Sequence, residues 1–236
     1  MRSNRFIVSI LLCLCAATGF AQAEKWGMNR PYIDDKLFHM GFQIGLNYAG
    51  FGVSTVSSEN DVRVSGSIPG FHVAFVGDLR LHKNVNLRFC PGLQFISDRM
   101  LSFDTIDISN TKHTVHVMSI PINIPLYLKI SANREANYRP YVIAGGGASF
   151  NVNQYGEKDI VGLKIYDAFC EIGFGVDIYL PWFKLCPEIT YRIGFLNQYA
   201  SIKDGERKLY PATPVPDPDR ISRLTNQCIC LTFNFE

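Results

Sequence analysis

The residues able to do chemistry are few and spread thin. Metal ligation could come from His39, His72, His82, His113 and His116, and from the cysteines after residue 23: Cys90, Cys170, Cys186, Cys228 and Cys230. His113 and His116 are three apart beside or on a strand, so they face opposite ways. Cys228 and Cys230 are two apart and share a face, but a C-x-C with no second ligand pair is not a zinc site. Five cysteines are an odd number without the spacing of a disulfide scaffold, and they read as small apolar fillers. Asp204, Glu206, Asp217 and Asp219 could attract calcium but lack the spacing of a known loop. A Ser-His-acid triad could be built across strands, yet no serine is singled out for it. No catalytic residue, metal or cofactor is assigned. What remains is a set of charges inside strand-like segments: Asp78, Arg80, Arg88, Lys129, Glu171, Asp177, Lys184, Glu188 and Arg192. Their chemistry is ion pairing, since an unpaired buried charge is costly.

The elements that position them are strands. From Phe38, every second residue (Phe38, Met40, Phe42, Ile44, Leu46, Tyr48) is apolar, and the alternate set (His39, Gly41, Gln43, Gly45, Asn47) is small or polar. Seven further segments repeat the pattern, at 70–81, 85–96, about 115–130, about 138–150, 165–180, 183–196 and about 223–235. In the fourth, Pro121 and Pro125 occupy the polar phase and predict local bulges, because proline cannot donate to the ladder.

The connections alternate in length. "HKN", "SANREAN" and "PW" join strands at one end, while stretches at 49–69, 97–114, 151–164 and 197–222 join them at the other. Short turns on one side and long loops on the other are the pattern of an outer-membrane barrel. The apolar stripes then face lipid and the charges face inward, the reverse of a soluble ligand-binding barrel. The predicted fold is all-β, an eight-stranded antiparallel transmembrane barrel over 38–236 with a charged, side-chain-filled interior. Aromatic residues near strand ends (Tyr48, Tyr127, Tyr166, Tyr179, Trp182, Phe183) supply an interfacial girdle where they take the outer phase.

Residues 1–23 read as a signal peptide: a basic "MRSNR", the apolar "FIVSILLCLCAATGF" and an A-x-A site at Ala21–Ala23. Residues 24–37 would be a periplasmic segment. The whole chain has 23 basic and 21 acidic residues; removing Arg2 and Arg5 with the leader leaves 21 of each. A net charge near zero offers no footprint for nucleic acid. The localisation that follows is the outer membrane, with its lipid as the first partner.

Turn length predicts register. A three-residue "HKN" turn pairs Leu81 with Val85 and sets Asp78 opposite Arg88. A two-residue "PW" turn pairs Leu180 with Phe183 and sets Glu171 opposite Arg192. Both are structural ion pairs inside the barrel rather than catalytic carboxylates.

Several blocks carry a family likeness. "DDKLFHMGFQIGLN" at 34–47 resembles a segment of PorT-type outer-membrane proteins of Bacteroidota, which are needed for type IX secretion. The matching residues are Asp34, Asp35, Lys36, His39, Gly41, Phe42, Gly45, Leu46 and Asn47. "PGFHVAFVGDLRL" at 69–81, "NLRFCPGLQF" at 86–95, "IPLYLKIS" at 124–131 and "NYRPYVIAGG" at 137–146 are similar to the same family. In that family an acidic residue often precedes the apolar-proline pair of the fourth strand, where this chain has Asn123. The resemblance implies a non-enzymatic accessory role in export and surface maturation of cargo, with other secretion-machinery proteins as partners. Asp34, Asp35 and Lys36, with the loops at 49–69 and 197–222, are then the candidate partner-binding segments. The other expectations are a small barrel serving envelope stability or ligand binding, and a barrel-embedded lipid hydrolase or acyltransferase. The sequence leaves the oligomeric state open.

Overall fold

The computed structural model describes residues 27–55, 62–104, 112–156, 162–200 and 221–236. The predicted leader and the four acids of the last long loop lie outside the described residues. After a single 3-10 turn (Ile33–Asp35), strands follow in order: β1 (Phe38–Thr55), β2 (Val62–Ser67), β3 (Gly70–His82), β4 (Val85–Phe89), β5 (Gly92–Asp104), β6 (Lys112–Ser131), β7 (Tyr138–Gly156), β8 (Gly162–Leu163), β9 (Tyr166–Tyr179), β10 (Lys184–Gly194), β11 (Tyr199–Ala200) and β12 (Ile221–Phe235). β2 with β3, and β4 with β5, are single staves broken at Ile68-Pro69 and at Cys90-Pro91, where a ladder donor is missing. Every pairing is antiparallel, and β1 pairs with both β12 and β3, so eight staves close into a ring.

The closure has a measurable stagger. Tyr48 pairs with Ile229, and the row continues through Tyr191, Ile172, Ala144, Leu128, Leu87 and Leu79 to Phe38. It returns to β1 ten residues lower (48 − 38), which is the shear of the barrel. With a tilt of about 40° and a rise of roughly 3.3 Å per residue, that segment climbs about 25 Å. This is the height of a lipid-facing apolar band. The residues of this row all project outward, and Phe38, Tyr48, Ile172 and Leu128 are all exposed. Trp182, Phe183 and Tyr138 ring the periplasmic edge of the band, and Tyr48, Tyr191 and Tyr166 the outer edge. Tyr127 and Tyr179 face inward and are buried.

The strands run further than alternation predicts. β1 reaches Thr55 rather than 48, and β5, β6 and β7 also extend past the predicted outer ends. Most of the predicted 49–69 loop is therefore strand. The pattern did not stop at those ends; its sign changed. On β6 the inward residues pass from Lys129, Tyr127 and Asn123 to Val117 and Val115, while the outward ones pass from Leu128 and Ile124 to Met118, His116 and Thr114. Above the band, Phe51, Leu101, Val115, Val117, Tyr199, Ile221 and Leu224 form a buried apolar cluster inside the barrel. The lower storey has a polar interior in lipid; the upper storey has an oily interior in water.

Two local expectations need correction. Leu81 is not the partner of Val85. It is the extra residue of a bulge, His82 pairs with Val85, and the turn is Lys83-Asn84. Of the two prolines, Pro121 does sit at a register shift, but Pro125 stays in the ladder opposite Gly147.

Candidate functional site

The lumen is built from the inward phase of every stave. Asp78 on β3 pairs with Arg88 on β4, and Glu171 on β9 pairs with Arg192 on β10. Arg88 Nη2 donates to Asp78 at 3.0 Å, and Arg192 Nε donates to Glu171 at 2.8 Å. Arg88 has two further carboxylate partners, Glu188 at 3.2 Å and Glu236 at 2.7 Å. Lys184 ion-pairs with Glu236, and Lys129 Nζ bonds both oxygens of Asp177 at 2.8 and 2.9 Å. Tyr141 and Tyr127 donate their hydroxyls to Glu188 and Glu171, each at 2.8 Å. Lys129 and Arg88 also lie over the Tyr141 ring. All of these acids and bases but Arg192, which is mostly buried, have relative exposures below a tenth, so the charges fill the space as well as neutralise it.

Arg99 marks the boundary between storeys. It stacks on Phe51 with 4.0 Å to the ring centroid and donates to Asn226 and Ser119. Asn226 in turn donates to Asp167 at 2.8 Å. Above it, the segment after β10 folds into the mouth. Gln198 is fully buried and bonds Tyr166 O, and Asn197 Oδ1 accepts from the backbone of Tyr199 and Leu224. Among the described residues, the lumen contains two small voids, of about 30 and 20 Å³. Each is the size of one water. Among the described residues, His72 Nδ1 and Asn123 Oδ1 have no hydrogen-bond partner and belong to residues that line the first; Arg99 Nε and Asp167 Oδ1 belong likewise to residues that line the second. Asn123, where the resembling family often has an acid, donates to Gln94 at 2.8 Å.

Among the described side chains, the histidines do not meet. His39 faces Asp78 across the β1–β3 pair. His72 is not at a strand end, as its place near the start of an alternating run predicts. Its stave begins at Val62, so it lies deep in the lumen within hydrogen-bonding distance of Thr232 and Gln43. His116 is outside, paired with Asp98. Among the described residues, no group of three or more His, Cys, Asp or Glu could hold a metal ion. Cys228 and Cys230 point the same way with sulfurs 3.4 Å apart; both are free, as are Cys90 and Cys186, and all four are buried. Cys170 is exposed on the lipid face.

The candidate partner-binding residues are partly engaged within the chain. Residues 29–36 fold across the periplasmic rim. Tyr179 donates to Asp34 at 2.7 Å, and Arg139 and Arg134 flank the same carboxylate at 3.5 and 3.6 Å. Arg134 also covers the Tyr179 ring and donates to Asn29 O and Arg30 O. Ile33 is buried beneath the turn. Asp35 is exposed but bonds Arg80 at 3.3 Å, whereas Lys36 is exposed with no such contact among the described residues. The segment is therefore a clasp rather than a loose lead-in. Asp34→Ala is expected to leave the barrel folded while raising tryptic cleavage at Lys36 about tenfold, the effect of losing roughly 1–2 kcal/mol of local hydrogen bonding. Unchanged cleavage would show that the clasp does not depend on Asp34.

Sequence reasoning placed the two ion pairs but missed Glu188, Glu236 and Lys184 as one cluster with Arg88. These residues sit on staves that do not adjoin β4, and meet it only across the lumen. No curated protein matches this sequence. Among solved structures the chain is similar to Neisserial surface protein A, with a TM-score of 0.42, 8% identity, and coverage of 84% of this chain and 98% of that one. It is similar to Ail, the attachment invasion locus protein of Yersinia pestis (TM-score 0.37, 7% identity, 83% and 96% covered), and to OprG from Pseudomonas aeruginosa (0.37, 10%, 83% and 92%). Residues 20–199 match the family model described as outer membrane protein beta-barrel domain. The closed ring of eight staves, its lipid-facing apolar band and that match agree: the chain belongs to the outer membrane protein beta-barrel domain family, and its place is the outer membrane.

Proposed function

We propose that this is a non-enzymatic, non-conducting envelope barrel that acts through its two rims, by stabilising the outer membrane or by binding ligands and partners there. The observation that carries this reading is the lumen. Most of its described charges are paired, its described voids are each about the size of one water, and an apolar storey lies above it on the outer side. An eight-stranded barrel has room for side chains and little else. The purified protein in a planar bilayer is expected to give no conductance steps; stable openings would sink the closed-lumen reading. A deletion strain is expected to show sensitivity to detergents and bulky antibiotics.

The second reading is an accessory role in type IX secretion. One observation favours it: three of the blocks that resemble PorT-type proteins converge on the periplasmic rim. Asp34 and Asp35 come from the first block, Arg80 from the block at 69–81, and Arg139 from the block at 137–146. A shared rim would be the docking surface for secretion-machinery proteins. Here the deletion strain would fail to release cargo with its envelope intact. Loss of envelope integrity with normal secretion would discard this reading and keep the first.

A further inference from the structure

Near the level where the polar storey gives way to the apolar one, two thiols stand side by side. Cys228 and Cys230 leave β12 on the inward phase, both free and buried, with their sulfurs 3.4 Å apart. Residues two apart on a strand have Cα atoms roughly 6.7 Å apart and parallel Cβ directions. The two side chains therefore lean towards each other. A disulfide needs Cβ atoms about 3.5–4.5 Å apart. β12 cannot shorten to give that. Cys228 and Cys230 are laddered on one side to Ala49 and Asn47, and on the other to Arg192 and Thr190. Opening is easy where closing is not: a small turn about each χ1 brings the sulfurs to about 4.5 Å, the span of a linear sulfur–metal–sulfur unit with bonds of about 2.2–2.3 Å.

The surroundings favour negative charge on the sulfurs. Gln94 Nε2 donates to Cys228 Sγ at 3.4 Å. The amide cannot turn over, because Gln94 Oε1 accepts from Arg192 Nη1 at 2.9 Å and from Asn123 Nδ2 at 2.8 Å. Arg192, which is shared with Glu171, is also the direct cross-strand neighbour of Cys228. Cys228 lines the void of about 20 Å³, and the charged residues around that void are Arg99, Arg192 and Asp167, two guanidiniums against one carboxylate. Arg99 is buried, and among the described residues it has no ion pair and its Nε has no hydrogen-bond partner. Cys230 lines the void of about 30 Å³, again with Gln94 and Arg192. Each thiol therefore borders a space.

We propose that Cys228 and Cys230 together bind one soft monovalent metal ion, Cu(I), as a two-coordinate dithiolate. Thiolates select soft ions. Zinc does not fit, since a structural zinc takes four ligands, and among the described residues no third His, Cys, Asp or Glu joins the pair. Binding forms two sulfur–metal bonds and breaks two S–H bonds; both protons leave to water, and nothing is oxidised or reduced. The complex carries one negative charge, which the two guanidiniums offset. The ion enters before the ring closes, because side chains fill the finished lumen around it.

The test refolds the barrel anaerobically with one equivalent of Cu(I) and then challenges it with bicinchoninate, a competitor for that ion. One copper per barrel is expected to survive, with two sulfur neighbours at about 2.2 Å by X-ray absorption. Cys228→Ser and Cys230→Ser should each lower retention at least about tenfold. Gln94→Met should weaken binding about tenfold, as loss of a supporting hydrogen bond does. A variant with Cys90→Ala, Cys170→Ala and Cys186→Ala should keep its copper. Folding of each variant is checked by heat-modifiable migration, and the absorption spectrum of the unsubstituted protein decides the ligands even where a variant fails to fold. Equal retention by the unsubstituted barrel and Cys228→Ser, nitrogen or oxygen neighbours in place of the two sulfurs, or a Cys228–Cys230 disulfide after mild oxidation of the folded barrel would each overturn the proposal.

Discussion

Arg88→Met is expected to destabilise the barrel by about 3–5 kcal/mol, the cost of leaving buried charges without their partner. One guanidinium holds Asp78, Glu188 and Glu236, so its loss leaves Asp78 and Glu188 with only neutral donors, Asn86 and Tyr141, and Glu236 with Lys184 alone, in a buried space. Urea unfolding of the refolded protein, followed by tryptophan fluorescence, measures the change. The other pair supplies the control. Arg192→Gln alone leaves Glu171 with the Tyr127 hydroxyl as partner, whereas Arg192→Gln with Glu171→Gln removes both charges. The double variant is expected to be more stable than the single one, a coupling of the order of 1–3 kcal/mol. Equal losses in the two variants would mean that the charges at this position are solvated rather than paired.

A lysine scan along β6 is expected to change sign at the outer interface. Leu128→Lys puts a charge on the lipid face near the middle of the band and should cost about 2–4 kcal/mol. Thr114→Lys, also outward but above the band, should cost less than about 0.5 kcal/mol. On the inward phase the order reverses. Lys129 is native and paired with Asp177 in the lower storey, whereas Val115 is fully buried in the apolar cluster. Val115→Lys should cost several kcal/mol because the described side chains packed around it are apolar. If Val115→Lys and Thr114→Lys behaved alike, the upper storey would not be a packed core.

The stave phases were legible because a period of two survives any error in strand ends. The Asp78–Arg88 and Glu171–Arg192 registers were legible because short turns leave neighbouring strands little choice. The first survived even though its turn was misjudged: the Leu81 bulge absorbed the difference. Three things were not legible. Arg88 and Glu188 are 100 positions apart on staves that do not adjoin, and parity says only that both face inward. The upper storey was read as loop because apolar-outward alternation was taken as the mark of a strand, and there the solvent has changed. The clasp was missed because Asp34, Arg134 and Arg139 lie in turns and at strand ends, outside any periodic pattern.

One feature of the ring bears on how it is made. Each stave pairs with its neighbours in sequence except at β1 and β12, where Phe42 lies beside Phe235. That seam is the long-range step, the slowest kind of contact to form by chance. It carries a fastening on each face. Outside, Phe42 stacks on Phe235, which also touches Phe183, with centroids 4.8 and 5.9 Å apart. Inside, Glu236 reaches Arg88 and Lys184 from beyond the end of β12. Lys184 already meets Glu236 through the β10–β12 ladder, but until the seam zips Arg88 lacks one counter-ion. The barrel thus carries an electrostatic proofreading step: a ring whose seam closes out of register would displace Arg88, on the β1 side, from Glu236 on the β12 side and leave it underpaired. Misclosed rings are then the less stable products, and assembly can reverse from them while the correct ring stays shut.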